Sequence, residues 1–299
     1  MIVPSPYAAL LDALPLERRT EQLAGSTTEI WSYGPADADT TIVLVHGFRG
    51  DHHGLEPVVA HLPQYRTILA DLPGFGASTP LDSAHDIDGY SAWLLALVDR
   101  VRGPGRTVVL GHSFGSIIVS AAVARGLAVD DIVLVNPIAA PALSGPRGIL
   151  TRLAVFYYWA PAKMPERLGF AVLKAPIVTR IMSVTMAKTR SRLLRRWIHN
   201  QHDRYFGAFS NRQVVLDAFT ASISHDVSEY AADNQTRTLL IAADRDDITP
   251  VEAQHHLAQK ISDSRLVVLT DVGHLVHYEM PQQAAEAIVE FVSEDRSAP

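Results

Sequence analysis

The residues best suited to chemistry are a serine, a histidine and a small group of aspartates. Ser113 sits in the stretch TVVLGHSFGSIIV, flanked at two-residue spacing by Gly111 and Gly115. A serine hydroxyl is a poor nucleophile until a base takes its proton and a third group orients that base. His274, in DVGHLVHYEMP, is the preferred base, and His277 is its local rival. Asp246, in AADRDDITP, is the preferred acid, with Asp244 and Asp247 as neighbours that could stand in its place. The order along the chain is Ser, acid, His, one of the orders in which such a triad occurs. Attack on a carbonyl also creates an oxyanion, which needs two donors aimed at it. The amide of Phe114, directly after the serine, and that of Phe48, in HGFRG, are the candidates. His46 in the same loop reads as structural, its ring bonding to backbone.

These residues need elements to hold them. Val108 to Leu110 is a short β-branched run that stops at Gly111, and an apolar helical pattern follows from Ser116 to Arg125. A strand, a sharp turn bearing the serine and a helix form the arrangement called a nucleophile elbow. Side chains at positions 111 and 115 would collide there, so both are glycine. Similar apolar runs at Thr41–Val45, Thr67–Ala70, Ile132–Val135, Thr238–Ala242 and Arg265–Leu269 read as strands buried on both faces. Thr28–Tyr33 reads as an early antiparallel strand, preceded by a short helix over Tyr7–Leu14. Helical patterns cover Asp86–Val101, Val251–Ile261 and Gln282–Val292. Strands alternating with helices predict an α/β fold, a parallel sheet with helices on both faces. The alternation stops between Ile138 and Asp233, where helix-like pieces are punctuated by prolines. The expected organisation is a core of residues 1–137 and 234–299, interrupted by a helical cap over 138–233.

Composition narrows the function classes. The chain has 299 residues, 47% of them hydrophobic, which suits one large domain with an insertion. A net charge of −6 argues against a general nucleic-acid binder. With no cysteine there is neither a disulfide framework nor a thiolate metal site. His46, His52, His53 and His61 show no H-E-x-x-H spacing, and Gly74-Phe75-Gly76 lacks the spacing of a phosphate loop. The N-terminal stretch has no basic region ahead of its apolar part, so no signal peptide is read and a cytoplasmic location is expected. No uninterrupted apolar run reaches the roughly 18 residues that cross a bilayer.

Charge is unevenly spread. Twelve lysines and arginines fall between Gly145 and Tyr205 against only Glu166 and Asp203, leaving the rest of the chain acidic. Phe156, Tyr157, Tyr158, Trp159, Ile181, Met182 and Met186 mingle with this basic run, which includes Arg190, Arg192, Arg195 and Arg196. The segment could touch anionic lipid or an acidic partner, or it could line an apolar pocket with its arginines solvated. The sequence favours the second, because charge runs usually form solvated faces.

Taken together, HGF at His46–Phe48, DLPGFGAS at Asp71–Ser78, GHSFG at Gly111–Gly115, the Asp246 loop and GHLVHYEMP at Gly273–Pro281 resemble the α/β-hydrolase superfamily, in its cofactor-independent branch with a single cap. The resemblance covers the whole core. It implies a mostly parallel eight-stranded, doubly wound sheet with the cap inserted after the sixth strand. It implies Ser113 as nucleophile, His274 as base, Asp246 as orienting acid, and the Phe48 and Phe114 amides as the oxyanion hole, with no cofactor and no metal. Ala242-Ala243 stand where the family usually places a glycine ahead of the acid. The expected activity is hydrolysis of a largely apolar small-molecule carboxylic ester through an acyl-enzyme. The same triad would serve a C–C bond, thioester, amide or lactone. A silent binding or membrane-associated protein of this fold is the non-enzymatic alternative, and the intact Ser/Asp/His set argues against it.

Overall fold

The computed structural model describes residues 2–141 and 148–294. Positions 142–147 of the expected insertion, and the last five residues, lie outside them.

Eight strands form a single sheet: β1 Leu16–Leu23, β2 Ser26–Tyr33, β3 Thr40–Val45, β4 Arg66–Ala70, β5 Arg106–His112, β6 Asp131–Val135, β7 Arg237–Ala243 and β8 Ser264–Leu269. Their spatial order is β1-β2-β4-β3-β5-β6-β7-β8. β3 to β8 are mutually parallel, whereas β2 pairs antiparallel with both β1 and β4. β3 and β5, the strands that deliver the candidate oxyanion loop and the serine, are neighbours in register, Val45 beside Gly111.

Alternation along each central strand feeds two cores. Val43 and Val45 face one side with Val109, Ile132, Leu134 and Leu240, where they meet the helices Ile87–Val101 and Phe114–Ala124. Ile42 and Leu44 face the other with Leu110, Val133 and Ile241, against the helix Pro281–Ser293. Burial on both sides explains why these strands are continuous apolar runs.

β1 is a strand that the sequence reading did not anticipate. Its sequence LERRTEQL is charged and mostly exposed, without the apolar alternation that marks a strand. It forms because Ala24 and Gly25, both at positive φ (50° and 83°), make a tight two-residue turn onto β2. Its charges find partners: Arg18 bonds Glu29 of β2, and Glu21 receives Arg100.

Between β6 and β7 the described residues form the helices Gly148–Lys163, Glu166–Leu173, Pro176–Met186, Arg192–Tyr205 and Arg212–Ser224. They lie over the carboxyl ends of the strands. A fully buried arginine anchors them. Arg49, at the end of the loop after β3, donates from Nε to the Phe206 carbonyl (3.0 Å) and from its two Nη atoms to the Leu173 carbonyl (3.0 Å) and the Tyr158 hydroxyl (3.2 Å). Leu173 ends one cap helix and Phe206 caps another, so the cation sits on the negative ends of two helix dipoles. No carboxylate among the described residues pairs with it. On the opposite side Glu279 Oε1 accepts the amides of Lys188 (2.7 Å) and Thr189 (2.8 Å), and the Lys188 ammonium pairs with Asp247.

Candidate active site

β5 ends in a turn that strains its serine. Ser113 has φ 53° and ψ −118°, a conformation L-residues avoid. The space around it admits no side chains at its flanking glycines. A Cβ on Gly111 would meet the Gly115 carbonyl oxygen at 2.5 Å, and one on Gly115 would strike the carbonyl oxygen of Val45. The turn feeds directly into the helix Phe114–Ala124, so the first N–H groups of that helix lie beside Ser113.

The structure brings together the three preferred residues, from three strand ends. His274 Nε2 lies 2.8 Å from Ser113 Oγ, and His274 Nδ1 lies 2.8 Å from Asp246 Oδ2. Asp246 is held from four sides: Oδ1 accepts the amides of Ile248 (2.7 Å) and Thr249 (3.1 Å), while Oδ2 also accepts Asn136 Nδ2 (3.0 Å). Burial alone would raise this carboxyl, but the charge and hydrogen bond of His274 and the two amides outweigh it and hold its pKa below the ordinary value. With Asp246 ionised, the proton shared with His274 resides on Nδ1. Nε2 is therefore left as an acceptor towards the serine hydroxyl.

The rivals are placed elsewhere. Asp244 Oδ1 accepts the Val272 amide at a long 3.4 Å, and Asp247 pairs with Lys188. His277 is buried with its ring 4.1 Å from that of His112, and it makes no bond to Ser113. Burial, reinforced by the nearby charge of His274, pushes His112 down to about 3 and lowers His277 well below the usual value. Both therefore stay neutral. His46 is structural, as the sequence suggests: its Nδ1 donates to the Gly47 carbonyl (2.9 Å) and its Nε2 accepts the Leu72 amide (2.8 Å).

Asn136 is the participant sequence reasoning missed. It directly follows β6, at Asn136-Pro137. Its backbone takes the left-handed conformation (φ 46°) that asparagine tolerates better than most residues, and this turns the amide towards Asp246. An asparagine directly after a buried strand and before a proline was the available signal.

Phe48 and Phe114 meet edge to face, ring centroids 6.4 Å apart, and line a cavity of about 940 Å³ with Ser113 and His274. Neither backbone N–H donates to a protein acceptor among the described residues. Met182, Met186, Phe206, Phe219 and Ile223 of the cap close the cavity from above. Among the described residues its two lining cations are both paired, Lys188 with Asp247 and Arg245 with Asp271.

A parallel sheet flanked by helices, a strained serine between strand and helix and a cap over the strand ends together define an α/β-hydrolase fold. The profile of the alpha/beta hydrolase family matches residues 42–287, and the chain belongs to that family. Among curated relatives it is 22% identical to a 2-hydroxy-6-oxo-6-(2'-aminophenyl)hexa-2,4-dienoic acid hydrolase of Metapseudomonas resinovorans, over 87% of each chain. Among solved structures it is similar to the esterase EaEST from Exiguobacterium antarcticum, with TM-score 0.76 and 17% identity, covering 93% of this chain and 100% of that one. It is also similar to the enol-lactonase from Burkholderia xenovorans LB400, with TM-score 0.75 and 19% identity, covering 92% and 100%. The protein is thus a hydrolase of the α/β fold.

Proposed function

We propose that the protein hydrolyses a neutral, largely apolar carboxylic ester through an acyl-enzyme. The observation that carries this reading is the unbroken hydrogen-bonded chain Ser113–His274–Asp246 at the floor of an apolar cavity. Ser113 Oγ attacks the ester carbonyl as His274 Nε2 takes its proton. The imidazolium so formed is stabilised by Asp246, and the carbonyl oxygen, now negative, turns to the amides of Phe48 and Phe114. His274 then passes the proton to the leaving alcohol. Water enters, gives its proton to the same nitrogen, and releases the acid.

The lining charges bear on the substrate. Asp51, Asp244, Asp246, Asp247 and Glu252 line the cavity, and the two lining cations among the described residues are already paired. An anionic substrate would find no unpaired cation among these residues, so a neutral ester suits the site better than a dienoic acid of the kind named for the Metapseudomonas relative. The test is a panel of p-nitrophenyl esters, thioesters and lactones run on wild type beside Ser113→Ala. Ester turnover is expected in the wild type and a loss of at least about 10³-fold in the variant. Equal turnover by the two proteins would refute the reading.

A further inference from the structure

From the outer face of the cap we infer that the protein docks on the surface of an anionic phospholipid bilayer. The inference does not depend on acyl-enzyme chemistry.

The helix Pro176–Met186 is apolar on two sides. Met182 and Met186 face inward onto the catalytic cavity. Ile177, Ile181 and Val184, at helical spacings of four and three, face outward and are 65%, 59% and 58% exposed. A roof over an apolar cavity needs only the inner face. The outer face gains nothing from water, and its apolar side chains are neighbours along one helix face rather than scattered. The continuous stretch Glu166–Met186 reaches a mean hydropathy of 1.4 over 18 residues, within the range of membrane helices, yet only 22% of that window is buried. It is divided at Lys174–Ala175 and carries Arg180, which suits a segment lying in the interface plane rather than one crossing it.

Charge identifies the occupant. Beside this face, between Pro176–Met186 and Arg192–Tyr205, lies a cleft of about 450 Å³ lined by Arg180, Arg192, Arg195, Arg196 and His199. Asp203 is the one acid in that lining among the described residues, and it is taken by Arg180. Arg192 and Arg196 meet no acid among the described residues. Guanidinium groups converging on a cleft of this size fit a phosphate headgroup, which they bind in a fork geometry. Leu193, on the same helix, is 79% exposed, and Ile2, 68% exposed, adjoins Val3 in the cleft wall. Apolar side chains to insert and cations to hold phosphate are the two components of reversible membrane attachment. The acidic remainder of the chain is repelled by the same surface, so the cap is presented first. A second copy fits poorly, because two such basic faces repel.

The test is flotation of the full chain with phosphatidylcholine vesicles and with vesicles containing phosphatidylglycerol, at low and high salt. Wild type and Ser113→Ala are expected to bind the anionic vesicles equally, to ignore the neutral ones, and to be released by salt. The double variant Arg192→Gln/Arg196→Gln should bind the anionic vesicles roughly 10- to 30-fold more weakly. Ile177→Ser/Ile181→Ser should lose binding even at low salt. Both variants should keep wild-type turnover of a water-soluble ester and wild-type circular dichroism, since none of these side chains lines the catalytic cavity. Four outcomes overturn the proposal: no anionic-vesicle binding at low salt, equal binding to neutral vesicles, wild-type binding by either double variant, or vesicle-independent self-association that Ile177→Ser/Ile181→Ser abolishes.

Discussion

Replacing Asp246 by asparagine should disable the site by more than the loss of one charge. The carboxylate accepts from four donors, two on each oxygen: the Ile248 and Thr249 amides on Oδ1, His274 Nδ1 and Asn136 Nδ2 on Oδ2. An asparagine offers one acceptor oxygen and one NH2 group. Placed at the Oδ1 position, the NH2 would face two backbone N–H groups that cannot turn away. Placed at Oδ2, it faces two side chains that can adapt. Asn136 can flip to present its own Oδ1, which is buried without a partner. His274 can move its proton from Nδ1 to Nε2. The second placement is therefore the stable one, and it leaves an Nε2–H pointing at Ser113. A base with its acceptor blocked loses about 10⁴-fold in turnover, or about 5 kcal/mol in the barrier. The assay is steady-state ester hydrolysis at pH 7.5, with circular dichroism to show that the fold persists. Asp244→Asn and Asp247→Asn serve as controls and should change turnover little. Turnover by Asp246→Asn within about tenfold of wild type would refute the tautomer argument, as would a larger loss in either control.

Two further outcomes follow from groups outside the triad. Arg49→Met leaves two helix-terminal carbonyls and the Tyr158 hydroxyl without their donor, which should lower unfolding free energy by roughly 3 kcal/mol in urea titrations. Because Arg49 follows Phe48, kcat should fall by more than KM rises, and Arg49→Lys should restore part of both. Acid should weaken the fold through buried neutral histidines: burial, aided by neighbouring positive charge, lowers His112 and His202 to about 3. Their folded values lie below the unfolded value of about 6.5, so the stability they support is complete above that pH and drains away between about 6.5 and 3. At about pH 5.5 each costs roughly 1 kcal/mol relative to pH 8, and a flat urea midpoint across that range would contradict this.

The central strands and the elbow were legible because burial on both faces leaves a simple record, as in TIVLV and VVLGHSFG. Ser113, His274 and Asp246 were legible because strand ends fix where such residues can converge. β1 left no record, since an exposed edge strand is held by a turn and by ion pairs rather than by apolar alternation. The attachments of the cap were equally hidden. Arg49 meets Leu173 across 124 positions and Lys188 meets Glu279 across 91, and no local pattern marks either end. The cap residues Tyr158, Ile181 and Met182 read alike in sequence, yet one is buried, one exposed and one on the cavity wall. Only the helix phase set by tertiary packing separates them.

The edges of the sheet bear on how copies of this protein behave when crowded. An open sheet ends in rows of unpaired N–H and C=O groups that can template a neighbour's strand. Here one edge is β1, whose Arg18 and Glu21 are already engaged by Glu29 and Arg100. The other is β8, where Arg265 is gripped by Glu290 of the adjoining helix and by Glu294, which caps that helix. A strand adding to either side would have to displace those ion pairs and desolvate the charges. Ribbon-like growth through the sheet is therefore blocked at both ends.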